Sequence, residues 1–520
     1  MRGLKYIIVF VLWSLPWAVV AQWATSAALN SLAPQHREWR MTGVPDHGYW
    51  AIAGNFSAQA ENSLMHPASW LSPTSNTPVL DLERVYDDFS DPNRLGAETA
   101  FVWGQAGWFM NESKTFVDFA VSERIGAQTS VPEALLLLPF TGNASFEGSP
   151  EFALDLSPFD VELLHHREWR LGIQHQLTER LSAAMRLKRL HGFHHLDVTQ
   201  NSWELLTDAT DWTWTLMGGG EVVSSGLQSI YDADAQNSLD SLTDALPQRL
   251  SDRSNRGWGV DAGVEFQWNS RLATWVQFQH GGSIQWRRDL RSFAIWPFSW
   301  ELDGFDASDW DEGVESPGDS LEAWAEYELE ALEAHLVSEG NTAAYRSSLP
   351  NTFILGTEFN LLQRDGGSKL SLGAVLEKRT DLPMSWNVAL NARLGNALQS
   401  TLSMGQRYGL PWTAGASIAL PFGPWLIFAA AEGHQALKWT DFTVVSSAGV
   451  EEWSMPTEAP YVAAQVGVTW RLGWRKPKQA LEAEPAVPLQ NSTRSPALGF
   501  QVTKEQKHRR SLPCALPGGS

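Results

Sequence analysis

The chain has 520 residues, among them 27 Trp and a single Cys, and carries a formal charge of −21. That acidic balance argues against nucleic acid as a partner, and one cysteine, Cys514, excludes an intramolecular disulfide. Mean hydropathy is mildly negative, as expected when only alternate residues of a membrane protein face lipid.

The chain opens with Arg2 and Lys5, an apolar run from Tyr6 to Val20, and a small-residue cut after Ala21. This reads as a secretory signal peptide over 1–21, because the run is short and broken by Pro16. Beyond it no apolar run of roughly eighteen residues offers a membrane helix. Residues 22–47 read as a periplasmic N-terminal segment and candidate plug.

Candidate strands follow at about 48–57, 98–108, 114–122, 166–177 and 181–190, with turns near Asn111-Glu112-Ser113 and Thr178-Glu179-Arg180. The pattern then sharpens. From Trp258 to Trp268 the apolar positions Trp258, Val260, Ala262, Val264 and Phe266 alternate with Gly259, Asp261, Gly263, Glu265 and Gln267. Strand side chains alternate faces, so one face is greasy and the other wet. About ten such residues suit a tilted strand crossing a bilayer. A strand to about Trp286 comes next, then 352–362, 369–379, 385–394, 398–407, 411–420, 425–434 and 461–474.

From 258 onward, tight links (269–271, 364–368, 395–397, 421–424) alternate with links that are longer on average (287–351, 380–384, 408–410, 435–460). Barrels of the outer membrane have short periplasmic turns and longer outside loops. The fold expected is all-β: a transmembrane antiparallel β-barrel of about fourteen strands over 48–474, with long extracellular loops. It would sit in the outer membrane of a Gram-negative bacterium as a monomer. Both termini would then be periplasmic, the tail 475–520 lacking any period and reading as disordered.

The register points Asp261, Glu265, Glu358, Glu377, Arg393 and Arg471 inward. They are candidates for setting selectivity in a pore, or they fill a narrow interior by pairing with one another. From Glu301 to Glu339 there are fourteen acidic residues and no Lys or Arg. Within this insertion Asp303, Asp306, Asp309, Asp311 and Glu312 could gather a cation, but the spacing and glycine of an EF-hand loop are lacking. A solvated, like-charge-repelling loop is the plainer reading. His165, His166, His191, His194 and His195 cluster without Cys partners or zinc-site spacing. No nucleophile-elbow or metalloprotease motif stands out, so neither an enzyme nor a cofactor is expected. The apolar run Val131–Phe140 reads as a helix packed into the lumen, since exposed it would aggregate.

Several landmarks stand in order: Phe119-Ala120-Val121-Ser122-Glu123-Arg124-Ile125-Gly126, Pro132-Glu133-Ala134-Leu135-Leu136, Gly142-Asn143, and Glu168-Trp169-Arg170-Leu171-Gly172. Met185-Arg186-Leu187-Lys188-Arg189-Leu190-His191-Gly192, Gly257-Trp258-Gly259-Val260-Asp261-Ala262-Gly263 and Leu349-Pro350 complete them. Together they resemble an uncharacterised outer-membrane barrel family of Bacteroidota, a domain of unknown function. That family is similar in form to fatty-acid-transporter-like barrels and to type IX secretion accessory barrels. The resemblance implies a fourteen-stranded barrel with no agreed substrate. Fatty-acid transporters carry an Asn-Pro-Ala plug signature; here only Leu32-Ala33-Pro34 and His66-Pro67-Ala68 stand near it, and neither matches.

Two functions remain open on the sequence. One is passive uptake of a small amphipathic molecule. The other is a non-conducting accessory for secretion or surface attachment, acting through its loops on a secreted or envelope protein; a purely structural envelope spacer would account for the acidic loop equally well. Outer-membrane lipid and the barrel-assembly machinery are the partners expected in either case.

Overall fold

The computed structural model describes residues 25–62, 93–110, 114–136, 151–156, 159–208, 213–227, 254–302, 343–364, 367–410, 412–433, 439–446, 449–456 and 461–472. Its strands in chain order begin with β1 (Gly48–Asn62), β2 (Asn93–Met110), β3 (Thr115–Val131), β4 (Glu151–Asp155) and β5 (Asp160–Gln176). Next come β6 (Leu181–Asp208), β7 (Trp214–Ser225), β8 (Arg256–Gln267), β9 (Leu272–Trp286) and β10 (Leu290–Leu302). The series continues with β11 (Tyr345–Ser348), β12 (Thr352–Arg364), β13 (Ser368–Arg379), β14 (Ser385–Leu394) and β15 (Leu398–Gln406). It ends with β16 (Trp412–Phe422), β17 (Trp425–Gly433), β18 (Trp439–Ser446), β19 (Gly449–Pro456) and β20 (Tyr461–Leu472).

Fourteen of these form a closed antiparallel wall in the order β1-β2-β3-β5-β6-β8-β9-β12-β13-β14-β15-β16-β17-β20, and β20 pairs back onto β1. Closure leaves no free sheet edge in the lipid, where every backbone N–H and C=O needs a partner. The outward face is apolar: Leu372, Val388, Leu390, Leu402, Ile418, Ile427, Val466 and Val468 are all exposed. Trp50, Trp425 and Trp470 pack together at one rim, and Trp386 and Trp412 at the other, as interfacial aromatic belts do. No helix among the described residues is long and apolar enough to cross a membrane. The strands do the crossing, so the chain is a transmembrane β-barrel.

One rim has only tight connections, 111–114, 177–180, 268–271, 365–367, 395–397 and 423–424. Local chemistry closes them: the Asn269 Oδ1 accepts from the Arg271 and Leu272 amides at 2.8 and 3.0 Å. All the long links lie at the opposite rim. There β6, at 28 residues, outruns the wall and pairs its upper half with β4 and β7, while β10 adds to β7 and β11 to β9. β10 and β11 lie within the 287–351 link, and β4 and β7 between the strands read from the sequence. The described start of the apolar run, Val131 to Leu136, does not enter the lumen. Ala134 packs there against Leu154, Leu156 and Leu205 of this raised sheet, while Leu135 is exposed; residues 137–140 lie outside the described residues. A separate hairpin, β18–β19, stands by itself.

Candidate functional site

The lumen is occupied by the chain's own N-terminal segment. It makes two single-turn 3-10 helices, Thr25–Leu29 and Pro34–Glu38, the second opened by Pro34 with its preset φ. Ala27, Ala28, Leu29, Leu32 and Trp39 pack against inward side chains of the wall, including Val375, Ala389, Ala419 and Phe428. Gly373 permits the approach, because a Cβ there would stand 2.5 Å from Leu29 Cδ1. Gln399 fixes the same turn from both sides: its Nε2 donates to the Leu29 carbonyl at 2.8 Å, and its Oε1 accepts from the Leu32 amide at 2.9 Å.

The following stretch is held by charge. Arg37 Nε donates to Asp118 at 3.0 Å, with both side chains almost fully buried. Glu38 is gripped by Arg170 and, at 3.5 Å, by Arg186. Arg40 spans two wall carboxylates, Glu265 at 2.5 Å and Glu358 at 2.7 Å, and Thr42 adds a hydrogen bond to Glu265 at 2.8 Å. Breaking such a pair leaves a buried charge uncompensated, typically at several kcal/mol. Burial alone would push the Glu38 carboxyl up, but Arg170, Arg186 and Arg124 override it and hold it at about 2. His36 goes the other way: burial pushes it down to about 4, its Nδ1 donates to the Ala33 carbonyl at 2.7 Å, and its Nε2 has no hydrogen-bond partner.

The six inward candidates meet different partners. Glu265 and Glu358 are brought together by Arg40. Asp261 pairs with Lys188 at 2.9 Å, and Glu377 with Arg407 at 2.5 Å. Arg393 pairs with Asp46 of the luminal segment, and Arg471 reaches the Gly423 carbonyl in a rim turn. None of the six pairs with another of the six: the four carboxylates meet Arg40, Lys188, Lys369 and Arg407, and the two arginines meet Asp46 and the Gly423 carbonyl. Asp303, Asp306, Asp309, Asp311 and Glu312 lie outside the described residues. The histidines join neighbours in ones and twos: His165 touches His194 at 2.8 Å and Glu123 at 2.9 Å, His166 meets Glu168 at 3.3 Å, and His195 meets Tyr345 at 3.0 Å. Among the described residues no three such groups converge to hold a metal ion.

Sequence reasoning missed Arg37, Glu38 and Arg40, and the wall residues Asp118, Glu168, Arg170, Arg186, Lys188 and Arg407. A signal existed for some of them. Glu168 and Arg170, and Arg186 and Lys188, stand two apart between the exposed Trp169, Leu171, Met185 and Leu187, so parity alone turns them inward.

Above the charged layer, toward the long-loop rim, the lumen opens into a cavity of about 100 Å³ that is continuous with solvent. Glu38 and Trp39 line it from the luminal segment, and Gln59, Glu61, Gly96, Ala97 and Glu98 line its side. At that side the wall is imperfect. β1 and β2 pair from Tyr49–Gly107 to Ile52–Gly104 and not again until Asn62–Leu95. β1 also bulges against β20 between Trp50 and Asn55, with Ala53 at φ 48. Small side chains flank the unpaired stretch: Ser57, Ala58 and Ala60 on one strand, Gly96, Ala97 and Ala100 on the other. Unpaired backbone at membrane depth is tolerated where it borders water rather than lipid.

A closed barrel with a greasy belt, a folded-in N-terminal segment and a cavity against a broken ladder defines a plugged transmembrane β-barrel. The chain belongs to a family of unknown function (DUF5723), whose model matches residues 43–432. No curated protein matches it by sequence. Among solved structures it is similar to the toluene transporter TbuX of Ralstonia pickettii, at 9% identity and TM-score 0.35, over 85% of this chain and 95% of that one. A FadL homologue of Pseudomonas aeruginosa shows 10% identity and TM-score 0.35, over 83% and 92%. The translocator domain of the autotransporter NalP from Neisseria meningitidis shows 8% identity and TM-score 0.31, over 86% and 97%. Likenesses of this order carry no functional information.

Proposed function

We propose that the protein sits in the outer membrane of a Gram-negative bacterium, tight turns toward the periplasm, and takes up a small amphipathic molecule. The observation that supports this reading best is the cavity beside the unpaired stretch of β1 and β2. A molecule with a polar head and an apolar body can leave such a cavity sideways between the strands. The route straight down is obstructed by the luminal segment and its ion pairs. Barrel lipid and the assembly machinery are its implied partners, and no catalytic step is part of the reading.

Locking the two strands together tests it. Ser57 Oγ lies 3.4 Å from the Ala100 carbonyl, so a Ser57→Cys/Ala100→Cys pair in a Cys514→Ser background can be cross-linked by oxidation. Transfer of a fluorescent amphiphile into proteoliposomes should stop on oxidation and return on reduction. Transfer indifferent to the cross-link would sink the sideways route.

A second reading, a non-conducting accessory for secretion or attachment, is supported by the raised sheet of β4, upper β6, β7 and β10. It offers a docking surface clear of the barrel wall. Co-purification with a secreted or envelope protein that depends on this sheet would favour it over uptake.

A further inference from the structure

The cavity's charges do not balance. Of its lining acids, Glu38 is taken by Arg170 and Arg186, and Glu377 by Arg407. Glu98 lies between the two lining arginines, 3.6 Å from Arg124 and 3.2 Å from Arg379. Both arginines are engaged further, Arg124 with Glu168 at 3.6 Å and Arg379 with Asp381 at 2.9 Å. Two lining carboxylates remain with no cation within ion-pair reach among the described residues. Glu162 accepts one hydrogen bond, from Gln128 Nε2 at 2.8 Å. Glu61 is only 7% exposed, and its Oε2 has no hydrogen-bond partner among the described residues.

Glu61 is also placed with care. It stands at the end of the unpaired stretch, and its side chain lies flat against Gly96 of the facing strand. A Cβ on Gly96 would meet Glu61 Cγ and Oε1 at 2.9 Å each. A carboxylate buried at this depth is costly in its charged form, so it either takes up a proton or is completed by something cationic. No trio of His, Cys, Asp or Glu among the described residues converges as a metal would need. The cavity is far larger than a bare ion, and Trp39, Leu164, Leu349 and Ile354 give it apolar flanks. An anionic head would find both lining arginines already engaged.

We propose that the cavity selects cationic, amine-bearing amphiphiles, with Glu61 and Glu162 as the anchors for the ammonium head and the apolar flanks for the body. This rests on the uptake reading above and names its substrate class. Chemically such a ligand completes the two unpaired carboxylates and brings its own apolar surface, so head and body are both satisfied in one place.

The test is calorimetric binding to the full chain in zwitterionic nanodiscs, corrected with empty discs. The probes share a twelve-carbon tail: dodecylammonium, dodecanoate and dodecyl maltoside. The cation should bind at least about tenfold more tightly than either other probe, and Glu61→Gln/Glu162→Gln should abolish that margin. Gly96→Ala, which displaces Glu61 without removing a charge, should shrink the margin and serves should the double variant not fold. A margin that survives both variants would overturn the assignment of the anchors. Equal binding of all three probes would overturn cation selection while leaving amphiphile uptake standing. Binding of none would overturn the uptake reading itself.

Discussion

The two sides of the barrel hold the luminal segment by different physics. From β12 to β17 the strands are 9 to 13 residues long, and the inward face offers Val375, Ala389, Ala419, Phe428 and Ala430 to the first 3-10 turn. From β3 to β9 the wall strands reach 17 and 28 residues, and the inward face offers Asp118, Arg170, Arg186 and Glu265 to residues 37–42. Apolar contact is non-directional and almost indifferent to pH and salt, so on that side register is left to the neutral hydrogen bonds of Gln399 with Leu29 and Leu32. Buried ion pairs are directional and unforgiving when incomplete, so they fix the register and make the seat conditional on charge state. A segment seated half by each can be released by changing charge alone while one end stays anchored.

The largest effect expected is on the charged side. Arg40→Ala strips Glu265 of its guanidinium and leaves Glu358 with Lys369 alone. It should loosen residues 34–42 by about 3–5 kcal/mol, read as faster amide exchange there with the 25–33 amides little changed. Equal loosening of both stretches would erase the distinction between the two sides.

Acid should act on the same side. His36 takes its proton near 6.5 when released and near 4 when seated. Its contribution is therefore complete above pH 6.5 and is lost as pH falls from 6.5 toward 4. The loss amounts to about 3 kcal/mol at most, at 1.36 kcal/mol per unit. Exchange at pH 7, 5.5 and 4 should show progressive release, and His36→Gln should flatten the response above pH 5. Glu38, held at about 2, adds its own loss only below 4.5.

On the apolar side, Leu29→Ala empties a buried site and should cost about 2–3 kcal/mol, equally at pH 7 and pH 5. The smallest effect is a methyl added to the facing wall. Gly373→Ala should cost about 1–2 kcal/mol by crowding Leu29. Combined with Leu29→Ala it should cost less than the sum, because the methyl enters space the first change vacates. Additive costs would mean that the two do not share one contact.

Fourteen crossings, the outward apolar set and the inward placement of Asp261, Glu265, Glu358 and Glu377 were legible in the sequence, because side-chain alternation has a period of two and needs no long-range information. The early strands were legible only in their lower parts: β5 reads from about 166, yet begins at Asp160, since His165 and His166 interrupt the alternation. What the inward charges face was not legible. Arg40 lies 225 residues from Glu265 and 318 from Glu358, and nothing local ties them. Asn-Pro-Ala is absent, yet the N-terminal segment still lies in the lumen, because its own Ala, Leu and Arg side chains match the wall, a fit that no short signature encodes. Residues 303–342 of the acidic insertion lie outside the described residues. The sequence by itself determined strand number, facing and the tight turns, all properties of neighbours along the chain. Tertiary structure alone decided closure of β20 on β1, the partner of each buried charge, the broken β1–β2 ladder and the unpaired Glu61, because each depends on which distant strands the closed wall sets side by side.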